Sequence, residues 1–212
     1  RCPGAVRIGL CAPGLAAGDE RSIASMPGRL QGLEGLVWSE VLGLPACVVN
    51  DAHAALLGEC WLGAARSATN VLMVTLGTGV GGAAMVDGRL LRGHLGRAGH
   101  VGHISLDPYG IPDIVRTPGS LEDAIGECTL AARSGGRFAS TRLLVTAAAA
   151  GDAAAQAVWE RSIRALATGL AGLINVLDPE TIVIGGGIAA AGDALFEPLR
   201  REVAAREWRV GD

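Results

Sequence analysis

The sequence predicts an α/β fold, and three features carry that expectation. Short β-branched runs give way to longer alanine- and leucine-rich stretches with helical spacing. Two apolar runs join through Gly77-Thr78-Gly79 and are followed by the tight-turn dipeptide Asp87-Gly88. A late Thr-Ile-Val-Ile run breaks at Gly185-Gly186-Gly187 before another helical stretch. In chain order, residues 5–12 read as a buried strand that starts so near Arg1 that the chain is expected to begin inside a domain. After Pro13 and Gly14, residues 34–42 read as an apolar helix and 46–49 as a short strand running straight into Asn50 and Asp51. Over 51–65 the spacing of Ala54, Ala55, Leu56, Leu57, Trp61 and Leu62 suits a helix, so Asn50 and Asp51 fall between a strand's carboxyl end and a helix's amino end. Residues 71–76, 80–86 and 89–91 read as three antiparallel strands. A long irregular loop, punctuated by Pro108, Pro112 and Pro118, fills 93–119, and loops of that length are commonly functional or disordered. Helices are expected over 121–133, 140–150 and 152–177, then a strand over 181–184, the glycine triplet, and a last helix to about residue 206.

Composition excludes several classes of function. The 212 residues are 50% hydrophobic and 18% charged, which fits a globular chain with a sizeable core. The 18 basic side chains against 21 acidic ones give a net charge of −3, with no electrostatic footprint for nucleic acid or an anionic membrane. Every basic residue is arginine, which rules out a P-loop lysine, a Schiff-base lysine and a catalytic-lysine protein kinase. The five cysteines (Cys2, Cys11, Cys47, Cys60, Cys128) include no CxxC pair, so neither a disulfide framework nor a cysteine-rich zinc site is expected. A soluble protein of the reducing cytoplasm is the expectation, since no run approaches the roughly 20 apolar residues of a membrane span.

Three local patterns can carry chemistry, and each also has a plain structural reading. Gly77-Thr78-Gly79-Val80-Gly81-Gly82 matches GxGxxG, but a strand follows where a dinucleotide site needs a helix. It is either an ordinary glycine hairpin or a turn whose backbone amides can meet a phosphate. Asp51 can be a helix N-cap, or a carboxylate that accepts a hydroxyl proton during phosphoryl transfer. Gly185, Gly186 and Gly187 can form a tight turn or a surface for close nucleotide approach.

Taken in order, Val49-Asn50-Asp51-Ala52-His53-Ala54-Ala55, Gly63-Ala64, Leu76 to Gly82, Gly102-His103, Gly119-Ser120-Leu121-Glu122, Asn175-Val176-Leu177-Asp178-Pro179 and Ile184 to Gly187 resemble the ROK family of sugar kinases and sugar-responsive repressors. The resemblance runs from about Ile8 to the end, and its most specific parts are the Asn-Asp and Gly-Thr-Gly motifs. It implies an actin-like (ribonuclease H-like), two-lobed fold, with residues 1–65 in the smaller lobe and 66–212 in the larger. It further implies transfer of the γ-phosphate of ATP, with Mg2+, to a hydroxyl of a hexose or hexose derivative, in a homodimer that binds neither membrane nor nucleic acid through this chain. Under it Asp51 is the catalytic base, Asn50, His100, His103 and Glu122 contact sugar, Gly77, Thr78 and Gly79 hold phosphate, and Gly185, Gly186 and Gly187 approach adenosine. The competing readings are the effector domain of a sugar-sensing repressor and a sugar-binding module without activity.

Three departures from the family pattern shape further expectations. The family's Asp-x-Gly-Gly-Thr phosphate loop is absent from these residues. The Glu-x-Gly-His segment reads His100-Val101-Gly102-His103, so an imidazole replaces a two-oxygen acceptor and substrate preference should shift. Both histidines are expected to face the sugar, making binding sensitive to pH near about 6.5. Aligned on Gly119, the positions of three zinc-binding cysteines hold Asp113, Val115 and Ser120; the His100/His103 pair with Asp113 offers donors for some metal, but valine cannot ligate and no fourth donor is evident, so no stoichiometric zinc is expected. The loop's prolines are expected to stiffen it instead, each by about 0.4–1 kcal/mol where its geometry fits. Ser120-Leu121-Glu122-Asp123 alternatively reads as a capping box, in which Glu122 only complements the helix dipole. His53 and His94 are given no role, and Trp38, Trp61, Trp159 and Trp208 are scattered as core or interface residues.

Overall fold

The computed structural model describes residues 4–26, 31–209 and 211. Strand β1 (Ile8–Ala12) is followed by the short strands β2 (Leu15–Ala16) and β3 (Ile23–Ser25), helix α1 (Trp38–Leu42) and strand β4 (Ala46–Asn50). β1 pairs with β4 in parallel, from Ile8 opposite Ala46 to Ala12 opposite Asn50, while β2 and β3 pair antiparallel. Ile23, Met26 and Val48 form a small core here, packed by Leu10, Ala12, Leu33 and Trp38. The helix expected over 34–42 shrinks to five residues. Gly35 takes a left-handed φ of +74° and Glu34 bridges to Ile23, so the chain before Trp38 is extended.

Helix α2 (Asp51–Leu62) crosses to a four-stranded sheet built from β5 (Val71–Leu76), β6 (Val80–Val86), β7 (Arg89–Leu90) and, much later, β8 (Thr181–Gly185). The order is β7-β6-β5-β8, with β5 antiparallel to β6 and parallel to β8. Period-2 alternation sends the side chains of β5 into two cores. Val71 and Met73 pack with Leu56 of α2 and with Ala83 and Met85 of β6. Leu72, Val74 and Leu76 join the main core on the opposite face.

That main core is covered by α3 (Leu121–Ile125), α4 (Leu130–Arg133), α5 (Thr141–Ala149), α6 (Ala153–Leu177) and α7 (Asp193–Ala204). Ser140 and Asp152 cap α5 and α6 by accepting from the N–H groups of Leu143 and Ala155. Helix α6 buries a stripe that includes Ala155, Val158, Trp159, Ser162, Ile163, Leu166 and Leu170. It ends at Asp178, whose φ of +44° is left-handed and which precedes Pro179. The single helix expected over 121–133 is broken: Gly126 turns to φ −56°, ψ 148°, and a 3-10 turn at Glu127–Thr129 separates α3 from α4. Within 93–119 the chain makes only a 3-10 turn at Val101–His103 and isolated bridges.

Pro198 lies inside α7 and has no N–H for the carbonyl four residues back, that of Ala194. The Trp159 indole donates to this carbonyl instead, at 3.0 Å. Trp159→Phe should therefore leave an acceptor unmet and lower stability by about 1–3 kcal/mol, read from urea unfolding with an unchanged denaturant slope.

Candidate active site

The β4–α2 junction divides its labour between two neighbours. Asn50 is the N-cap: its Oδ1 accepts from the N–H groups of Ala52 (2.9 Å) and His53 (3.3 Å), and its Nδ2 donates to the Gly14 carbonyl at 2.9 Å. It is buried. Asp51 is the first helical residue and is exposed; among the described residues the one hydrogen bond to its side chain comes from the adjacent Ala52 N–H to Oδ1. Capping therefore does not account for Asp51, and its carboxylate stands at the positive end of a helix, where negative charge is favoured.

The glycine turn lies opposite. The Gly77 and Thr78 carbonyls accept from the N–H groups of Glu127 (3.0 Å) and Cys128 (2.8 Å), which is what the break at Gly126 makes possible. The N–H groups of Thr78 and Gly79 have no acceptor among the described residues. Val80 N–H donates to Glu122 Oε2 at 2.9 Å, and a side chain at Gly79 would collide with that carboxylate. Ser120 caps α3 through the Asp123 N–H at 3.2 Å, so Ser120 serves as the cap while Glu122 reaches across to the turn. Gly186, at φ +89°, lies against the Leu76 carbonyl so closely that no Cβ fits, which brings the end of β8 beside the turn.

A cleft of about 780 Å³ unites Asn50, Asp51, Gly77, Thr78, Gly79, His100, His103, Glu122 and Gly186. Gly185 and Gly187 flank Gly186 in the chain and do not line it. Val115, one of the former cysteine positions, also lines the cleft, as do Arg97, Thr75 and Ile114, which the sequence does not single out. No local pattern marks them; they arrive through the tertiary path of the loop.

His100 Nε2 is buried and has no partner among the described residues. The His53 ring stands behind it, 6.4 Å away edge-on, with its own Nε2 within 3.3 Å of the Ala98 carbonyl. Burial, then the neighbouring His53 and His103 rings, hold His100 below the ordinary histidine range, with Asp51 opposing. The titration expected near about 6.5 thus moves to lower pH for this residue.

Zinc does not fit the loop. Asp113 already has both oxygens engaged, by Val115 N–H, Thr117 N–H and His103 Nδ1; Val115 has no donor atom in its side chain, and the Ser120 oxygen is the α3 cap. Among the described residues no cluster of three histidine, cysteine or acidic side chains could hold a metal ion.

A parallel β5–β8 pair beside an antiparallel hairpin, with helices on both faces and a cleft at the strand ends, is the α/β arrangement of actin-like ATPase folds, and it sets the class of this protein. The chain belongs to the ROK family, whose model matches residues 2–208. It is 38% identical over 180 residues to the glucokinase of Halalkalibacterium halodurans, covering 76% of this chain and 54% of that protein. It is 32% identical over 193 residues to the N-acetylmannosamine kinase of Escherichia coli, covering 88% of this chain and 66% of the kinase. The crystal structure of a ROK family glucokinase from Streptomyces griseus, in complex with glucose and AMPPNP, superposes with a TM-score of 0.79 at 27% identity, covering 93% of this chain and 72% of that one. The chain spans about half the length of the glucokinases of Halalkalibacterium halodurans and Thermotoga maritima, 54% of each.

Because folded His100 binds a proton less readily than the unfolded chain, stability is full above the unfolded value of about 6.5 and falls as the pH drops below it. Thermal unfolding at pH 8 and pH 5.5 should show a drop on acidification, and His100→Gln should make that drop smaller.

Proposed function

We propose that this chain forms the catalytic cleft of an ATP-dependent sugar kinase, acting on a hydroxyl of a hexose or hexose derivative. The observation that supports this best is the pairing, across one cleft, of a carboxylate free of capping duty with two unpartnered amides. Asp51 accepts the proton of the attacking hydroxyl as its oxygen bonds to the γ-phosphorus and the bond to the β-phosphate oxygen breaks. The amides of Thr78 and Gly79 meet phosphate oxygens, and Gly186, with its neighbours Gly185 and Gly187, admits the rest of the nucleotide. Asn50, His100, His103 and Glu122 contact the sugar.

Mg2+ bound with the nucleotide would neutralise phosphate charge, leaving Asp51 free to accept the proton. The relatives named above as glucokinase and N-acetylmannosamine kinase support a hexose or its N-acyl derivative as substrate class. We assign residues 1–65 to the smaller lobe and 66–212 to the larger, and take the protein to work in the cytoplasm as a homodimer. No helix among the described residues is long and apolar enough to cross a membrane. A repressor's effector domain would bind sugar without needing a carboxylate poised as Asp51 is, which favours the kinase.

Release of ADP by the intact protein, followed by a coupled assay over a panel of hexoses and N-acylhexosamines, tests this. Asp51→Asn should lower kcat by roughly 10²–10⁴-fold. Asn50 still caps α2, so the thermal midpoint should stay in place. Substantial activity in the variant would remove Asp51 from the chemistry.

A further inference from the structure

The irregular loop ahead of α3 is organised around one buried carboxylate. The Asp113 side chain is 0% exposed. Its Oδ1 accepts from the N–H groups of Val115 (2.9 Å) and Thr117 (2.8 Å), and its Oδ2 lies 2.8 Å from His103 Nδ1. Burying a carboxylate is costly unless its lone pairs are met, and three donors meet them here. Burial alone would raise Asp113; the bonds from Thr117, His103 and Val115 outweigh it and hold the group below its ordinary value. Around this point the loop is stapled by the Pro112–Pro118 and Ser105–Ser120 bridges and by the Ser105 hydroxyl on the Pro118 carbonyl at 2.7 Å.

A carboxylate can only accept, so His103 Nδ1 carries a proton, and a ring that holds just that one proton leaves Nε2 as an acceptor. The His103 ring lines the cleft, and Nε2 has no partner among the described residues. We propose that Asp113 is a positioning residue for ligand recognition: it locks His103 as the Nδ1–H tautomer, so that Nε2 accepts a hydrogen bond from a ligand hydroxyl, and it does this without a metal ion. The ligand half of this statement rests on the sugar-binding reading of the cleft. The tautomer half stands on the loop alone.

Asp113→Asn separates the two. The asparagine oxygen can still accept from Val115 and Thr117, but its NH2 group would face His103 Nδ1 and drive the ring proton to Nε2. Nitrogen-15 NMR of the histidines at pH 7.5 should find Nδ1–H at His103 in the wild type and Nε2–H in the variant. The affinity for the best sugar of the panel, by calorimetry, should fall about 10–100-fold, as when other partners that orient a binding histidine are removed. Asp113→Ala, which also loses the turn bonds, should lower the thermal midpoint further than Asp113→Asn. EDTA should leave the wild-type midpoint unmoved.

An Nε2–H ring in the wild type, or an unchanged tautomer and affinity in Asp113→Asn, overturns the proposal. So does a midpoint that falls with chelation alongside one tightly held zinc per chain. A tautomer that reverses in a protein that binds no sugar in either form defeats the sugar reading of the cleft and leaves Asp113's control of the ring standing.

Discussion

Two backbone hydrogen bonds, from Glu127 and Cys128 to the carbonyls of Gly77 and Thr78, fix the orientation on which the cleft depends. With its carbonyls turned outward to the 126–128 segment, the glycine turn has its next two N–H groups left for a ligand. A peptide unit is rigid, so anchoring its oxygen aims its hydrogen. The same segment interrupts what would otherwise be one helix. Local helical continuity between α3 and α4 is given up for a tertiary contact, and Gly126 is where the chain yields, since a side chain there would press on the Glu122 and Thr78 carbonyls.

The sheet supplies the rigidity behind that contact. β5 is buried on both faces, Val71 and Met73 in one core and Leu72, Val74 and Leu76 in the other, so the strand is held from both sides and the turn begins from a fixed point. On the other wall, Asn50 ties the start of α2 to the Gly14 carbonyl, joining the two-stranded unit to the same cleft. Asp51 thus belongs to a helix whose first turn is already satisfied.

Much of this was legible in the sequence where the chemistry is local. The Asn-Asp step at a strand-to-helix switch and the Gly-Thr-Gly turn between strands both declare themselves within a few residues, and nine of the eleven residues assigned in advance line one cleft. What escaped depends on distant partners. Sequence could not say that Asn50 rather than Asp51 does the capping, because either side chain suits that position. Nor could helical spacing over 121–133 reveal a break whose cause lies at Gly77 and Thr78. Asp113 stands in the sequence where the family pattern has a cysteine, and nothing local shows its role as a hub; Val115 and Thr117 donate from the next few residues, but His103 is brought to it by folding of the loop.

The parallel pairing of β5 with β8 has a consequence for how the chain is made. The strands' leading ends meet through Glu180, whose carboxylate receives the N–H groups of Thr69 and Asn70 across 111 and 110 positions of chain. At roughly 5–20 residues per second, a ribosome needs on the order of 5–20 s to deliver the second strand after the first has emerged. During that interval one edge of β5 offers unpaired amides and carbonyls beside an apolar surface, the features of a template for unwanted strand addition. Non-local pairing of this kind is slow to form. Vulnerability to aggregation should therefore be concentrated in nascent chains that end before residue 181, and a nascent chain should shed that vulnerability once Thr181–Gly185 has emerged and paired.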